Sequence, residues 1–201
     1  MAPSEVLFDV SGDDPFFQAH GDSAVHAAIA ERLDRLTPTI FHFHHFWNVG
    51  TDLIMFLRRR YPDTVFMLTL HEYLAICYRD GQMLRQRDDA LCSSSAEESC
   101  IQCFPAISSE MFRARRSYFL QLFSAFDTIL SPSEFLVERY REWGLRARIE
   151  VVENGIERPP AEPTLEDAKL TRRFAFFRTA RARTRGLTCS CWLPRRALNA
   201  S

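Results

Sequence analysis

Short unbroken apolar runs and longer amphipathic stretches take turns along this chain from about residue 23 to residue 152. The run Thr64-Val-Phe-Met-Leu-Thr-Leu70 has no charge and consists of β-branched and apolar side chains, the composition of a strand covered on both faces, as in a parallel sheet. Thr39-Ile-Phe-His-Phe43 predicts a second strand, and Asp127–Leu130 and Arg148–Val152 predict two more. Val6–Val10 predicts a short strand that the turn Gly12-Asp-Asp-Pro15 breaks. Between these runs, Val25, Ile29, Leu33 and Leu36 recur at helical spacing after Asp22 or Ser23 as cap, and Thr37-Pro38 ends the helix. Thr51-Asp52 should cap a helix through Leu53, Ile54, Phe56 and Leu57 to Arg58-Arg59-Arg60, charges that suit a solvated helix C-terminus.

Ser109–Phe126 predicts a long amphipathic helix, with Phe112, Phe119, Leu120, Leu122 and Phe123 inward and Arg113, Arg115 and Arg116 outward. Ser131-Pro132-Ser133-Glu134 is a capping box with proline at the first helical position, so a helix starts there and runs to Trp143, with Gly144 as its stop. The repeated strand–helix alternation predicts an α/β fold, a Rossmann-like parallel sheet with helices on both faces.

In open α/β sheets ligands bind outside the carboxyl ends of the strands, which makes the residues just beyond each apolar run the first candidates for chemistry. His71-Glu72 lies just past Leu70, and His44-His45 just past Phe43. A histidine there can accept or donate a proton near neutral pH, and the alternative is a solvated histidine on a surface turn. The His42-x-His44-His45 cluster could also meet a metal. Side chains on a strand alternate faces, so at most His42 and His44 share one ion, and a polar pocket wall is the preferred reading. Asn154-Gly155, after the last strand, permits a tight turn.

After His71 the chain carries Cys77, Cys92, Cys100 and Cys103 in a polar segment with little core of its own. Cys-x-x-Cys with two further cysteines reads as a tetrahedral structural Zn²⁺ site stapling a long loop; four buried or solvated thiols and a disulfide pair are the alternatives.

Composition is that of an ordinary globular protein, 46% hydrophobic and 25% charged over 201 residues. No apolar run reaches the roughly 18 residues of a membrane span, and the acidic start lacks a signal peptide's basic region, so the expected location is cytoplasmic. The net charge of −1 hides an asymmetry: 16 basic face 26 acidic residues in 1–167, whereas 168–201 holds 9 basic residues and no acid. A basic arm can bind nucleic acid or an anionic membrane surface.

From Phe41 to Ile156 the chain resembles the amino-terminal, acceptor-side domain of glycosyltransferase family 4 enzymes, which have the two-domain GT-B fold. Four features carry the resemblance in order: the strand ending in His42-x-His44-His45, the turn Thr69-Leu-His71-Glu72-Tyr73 with its cysteine-bearing loop, the junction Leu130-Ser-Pro-Ser-Glu-Phe135, and Val151-Val-Glu-Asn154-Gly155-Ile156. The resemblance implies transfer of a sugar from a nucleotide-sugar donor to a sugar or glycolipid acceptor, in polysaccharide or glycoconjugate synthesis. It places His71 as the catalytic residue near the transferred sugar and His44, His45, Glu72, Asn154 and Gly155 around the acceptor cleft, Asn154 and Gly155 at the hinge. It implies no metal or other cofactor for the transfer step, no nucleic acid partner, and a cytoplasmic enzyme with peripheral contact to the inner face of the membrane as a further option.

The departures are equally informative. The glycine loop that the family places after its first strand is not found before Asp22, and the donor half, with its Arg, Lys and paired glutamates, should follow Pro160 and is not recognisable there. Residues 1–158 are therefore expected to form the acceptor-side domain, partial at its start, one incomplete half of a GT-B fold that is inactive alone. Residues 159–201 are expected to be a linker and an aberrant tail without stable fold. The competing function is a non-catalytic, zinc-stapled α/β binding module.

Arg172-Arg-Phe-Ala-Phe-Phe177 resembles the opening strand of the donor domain, yet Arg178-Thr-Ala-Arg-Ala-Arg-Thr-Arg185 follows in place of a glycine loop and Lys-Gly. The expectation is a shift of reading frame near Phe177. Sequencing the coding DNA tests it: one alternative frame should continue into a glycine loop, Lys-Gly and a spaced glutamate pair, whereas early stops in both alternative frames refute the shift and leave a genuine basic arm.

Overall fold

A computed structural model describes residues 14–47, 49–92 and 95–155, together with the backbone of 5–8, 174–178 and 187–190. The described elements are strand β1 (Glu5–Phe8), helix α1 (Ser23–Leu36), β2 (Ile40–Phe43), α2 (Thr51–Arg60), β3 (Val65–Thr69), α3 (Glu97–Cys103), α4 (Ser109–Phe123), β4 (Thr128–Ser131), α5 (Glu134–Trp143), β5 (Ile149–Val151), β6 (Phe174–Arg178) and β7 (Leu187–Ser190). They form an α/β, Rossmann-like arrangement. The sheet runs β1-β7-β6-β2-β3-β4-β5. Strands β6, β2, β3, β4 and β5 are parallel neighbours, and β7 and β1 are antiparallel additions at one edge.

Side chains cap three of the helices, and of these the sequence predicts only Asp22; the capping box at Ser131 with Pro132 at the first helical position does not form, because Ser131 still pairs with Val151 in β4, so α5 begins at Glu134 with Ser133 as its cap. Asp22 accepts the Val25 N–H at 3.0 Å, Ser108 the Met111 N–H at 3.3 Å, and Ser133 the Leu136 N–H at 3.3 Å. Gly144 ends α5 at φ 114°, a conformation that glycine adopts at no steric cost. The predicted cap on α2 is different. Gly50 occupies the N-cap at φ 93° with no side-chain bond, while the Asp52 carboxylate accepts the N–H groups of His20 and Gly21 at 3.1 and 2.8 Å. Asp52 therefore ties the preceding loop to α2.

One apolar core joins α1, α2, α4 and α5 to the strands, with Phe41, Phe43, Phe66 and Phe119 fully buried. Strand β3 is not covered evenly on both faces: Phe66 and Leu68 are buried, Met67 and Thr69 half-buried, and Val65 is 41% exposed. The arginine run at the end of α2 is divided. Arg58 makes two hydrogen bonds to Asp127, at 3.1 and 3.0 Å, and Arg60 pairs with Asp34 at 2.9 Å.

Arg115 departs most from expectation. It is 3% exposed, because its spacing from Phe112 and Phe119 puts it on the apolar stripe of α4. The tail also differs where it is described. Phe174–Arg178 pairs in parallel with β2 of the same sheet instead of opening a second one, and Leu187–Ser190 pairs with it. The remainder of 159–201 lies outside the described residues.

Candidate active site at the carboxyl ends of β2 and β3

Strands β2 and β3 are parallel neighbours, with Phe41 beside Phe66 and Phe43 beside Leu68, so both chains leave the sheet at the same edge. That register delivers His44-His45 from one strand and His71-Glu72 from the other to one place. His44 Nδ1 lies 3.0 Å from His71 Nε2, and the two rings stack at 5.3 Å between centroids. His45 packs its ring 5.6 Å from that of His71, and its Nδ1 is 3.8 Å from Glu72 Oε1. His42 bonds Thr69 Oγ1 through Nε2 at 2.7 Å and packs against His44 at 4.3 Å. Four imidazoles and one carboxyl group thus form a continuous polar cluster.

The turn that carries His71 and Glu72 is held from four sides. Leu70 N–H donates to Leu130 O of β4 at 2.8 Å, and Tyr140 Oη donates to Glu72 O at 3.0 Å. The Leu74 N–H bonds the Glu72 carboxylate. Arg115 donates Nη2 to Leu74 O at 2.7 Å, Nη1 to Ala75 O, and Nε to Phe16 O at 2.9 Å. Gly81 closes over the same turn. A Cβ there would lie 2.8 Å from Leu74 N and 2.9 Å from Glu72 Oε2, so the approach requires glycine.

Burial and proximity set the charge of the cluster. Burial lowers His42 to about 4, with the His44 and His71 charges adding to the effect. Burial likewise lowers His44, aided by His71; it lowers His45, aided by His71 and His44; and it lowers His71 on its own. The imidazoles are therefore neutral at pH 7, and one proton is shared between His44 Nδ1 and His71 Nε2. Burial raises Glu72 to about 7, against the opposing Leu74 N–H and the Arg115 charge. Arg115 is itself lowered to about 10 by burial and stays cationic at neutral pH. Neutral imidazoles beside a carboxyl group that titrates near 7 can accept a proton and return it.

The sequence model of Glycosyltransferase Family 4 matches residues 15–158, well over half of the chain. The chain belongs to this family. Comparison with curated proteins and with solved structures gives no match.

Within this family 4 domain, Asn154 and Gly155 lie just past β5, at the same carboxyl edge of the sheet, and both are exposed. No hydrogen bond among those described joins them to the histidines. Cys77, Cys92, Cys100 and Cys103 are half-buried thiols in no disulfide, and they line one void away from the sheet edge. Among the described residues no three His, Cys, Asp or Glu side chains already stand together as a metal site. A larger cavity of about 230 Å³ opens beside Met83, Arg116, Arg139 and Trp143 and contains none of the predicted site residues.

Three supporting residues of the candidate site are not singled out by the sequence. Thr69 orients His42, Tyr140 fixes the Glu72 carbonyl, and Arg115 holds the carbonyls of the next two residues along the turn. For Thr69 and Tyr140 no sequence signal exists, since each contact spans 27 or more residues. Arg115 is different: a basic residue between Phe112 and Phe119 on one helical stripe is itself a signal.

Proposed function

We propose that this family 4 domain is the acceptor-side half of a glycosyltransferase, moving a sugar from a nucleotide-sugar donor to a sugar or glycolipid acceptor. The observation that carries the reading is the His44–His71 pair beside Glu72, gathered at the strand ends where α/β sheets bind ligands. In the transfer, the acceptor hydroxyl oxygen bonds the anomeric carbon, and the bond from that carbon to the donor phosphate breaks. The electron pair leaves with the nucleoside diphosphate, and the hydroxyl proton must go to a base. His71, neutral and backed by His44, is the catalytic residue that takes it or holds the reacting groups in line. His45, Glu72, Asn154 and Gly155 line the acceptor side. This route uses side chains alone and no cofactor.

We place the domain in the cytoplasm, against the inner face of the membrane when its acceptor is a glycolipid; among the described residues no helix is long and apolar enough to cross one.

In a full-length relative, His71→Ala should leave folding intact and lower turnover by about 10²-fold or more, the scale of a positioned acid–base or electrostatic group. Unchanged turnover reduces His71 to a turn residue. A second reading, a non-catalytic binding module, draws on the four-cysteine void. Calorimetric titration of acceptor sugars into the chain, with and without His71→Ala, separates the two: binding that is indifferent to His71 favours the module.

A further inference from the structure

We propose that Cys77, Cys92, Cys100 and Cys103 bind one Zn²⁺ as a tetrathiolate centre that staples the segment following β3. All four cysteines, with Tyr78 and Phe104 among their neighbours, line a single void of about 20 Å³, which is room for one water-sized body. They reach it from three places. Cys77 ends the Tyr73 turn, Cys92 follows the Leu84–Leu91 bridge, and Cys100 and Cys103 stand one turn apart on α3.

The surroundings suit thiolates. Ser95 Oγ lies 3.4 Å from the Cys100 sulfur. Such a donor stabilises a metal-bound thiolate. The centre would carry a net charge of −2, and a buried cation waits beside it. Arg115 spends its three hydrogen bonds on neutral carbonyl oxygens and shares the lining of one pocket with Cys100. A buried guanidinium is costly without a counter-charge.

The local fold needs a staple as well. Helix α3 has seven residues and buries none of them, too short to persist on its own. The thiols do not stand at ligand spacing, and binding therefore requires them to turn inward around the shared void. Zn²⁺ displaces one proton from each of the four thiols, and affinity therefore rises with pH. Four sulfur ligands favour zinc over harder ions.

The test uses the full chain. Elemental analysis of purified protein should find about one Zn²⁺ per chain, released by a thiol-modifying mercurial together with a fall in Tm. Metal-free chain given Co²⁺ alone should show thiolate-to-cobalt charge-transfer and tetrahedral ligand-field bands. Cys100→Ser with Cys103→Ser should abolish both, and Cys189→Ser with Cys191→Ser should leave both intact. Reduced, metal-free chain that takes up neither ion, or uptake that follows the Cys189 pair, overturns the proposal. Should the Cys100 and Cys103 variant not fold, the cobalt spectrum of the unaltered chain still decides it. Absence of zinc would leave the sugar-transfer reading untouched, because that rests on the histidine edge.

Discussion

Arg115→Ala is expected to destabilise the domain by about 4 kcal/mol, from the cost of leaving buried hydrogen-bond acceptors unpaired, about 1–3 kcal/mol each. Three carbonyls, those of Phe16, Leu74 and Ala75, lose their donor at once. The guanidinium also lies 4.5 Å from the Phe119 ring centroid and 5.6 Å from that of Phe16, packing that alanine cannot replace. Against a total stability of about 5–15 kcal/mol the loss is large. Urea unfolding measures it, and hydrogen exchange of the Leu74–Cys77 amides should accelerate, because those residues lose their anchor first. Arg115→Lys should recover part of the stability, since an ammonium keeps the charge but not the planar fork. A loss below about 1 kcal/mol for alanine would show that other contacts hold the turn.

Glu72→Gln should stabilise the protein at pH 8 and leave it unchanged at pH 4. In the native state Glu72 titrates near 7 in place of 4.5, so the folded protein binds the extra proton between those values. Its contribution is fully present below 4.5 and is lost as pH rises through 7, where a charged carboxylate must be kept in a site that is only 28% exposed. The difference of about 2.5 pH units corresponds to about 3 kcal/mol, an upper bound given the remaining exposure. Glutamine carries no charge and still offers an oxygen to the Leu74 N–H. The histidines act in the opposite sense. Their native pKa values are lowered, so they contribute stability above about 6.5, and His42 loses it as pH falls through about 4. Wild-type stability should therefore peak near pH 6.5–7, and the variant should hold its stability on the alkaline side. Thermal melts from pH 4 to 9 check the pair; parallel profiles would show that Glu72 is solvated in solution.

Local sequence was enough to specify most of the elements, although not helix α3 or the caps of α2 and α5. Asp22 and Gly144 act through bonds within one turn of helix, so their identity sets where α1 begins and α5 ends, whereas the choice of Ser133 over Ser131 as the cap of α5 was made by the pairing of Ser131 with Val151 in the sheet. Apolar runs of strand length alternating with helical stripes likewise pointed to a parallel sheet, because a strand whose neighbours are parallel needs helices to return the chain. The same pattern put His44, His45, His71 and Glu72 at strand ends. Their meeting was a matter of packing: the 3.0 Å contact of His44 with His71 depends on β2 lying beside β3 in a given register, a pairing of residues 27 apart. The burial of Arg115 was half legible, since its spacing put it on the apolar stripe and its charge argued for solvent. The competition was settled by carbonyl oxygens of residues 16, 74 and 75, which no pattern within α4 encodes. The same holds for β6, whose apolar composition marks a strand but not its sheet. Which edge a strand joins depends on hydrogen-bond partners distant in the chain, here Ile40–Phe43.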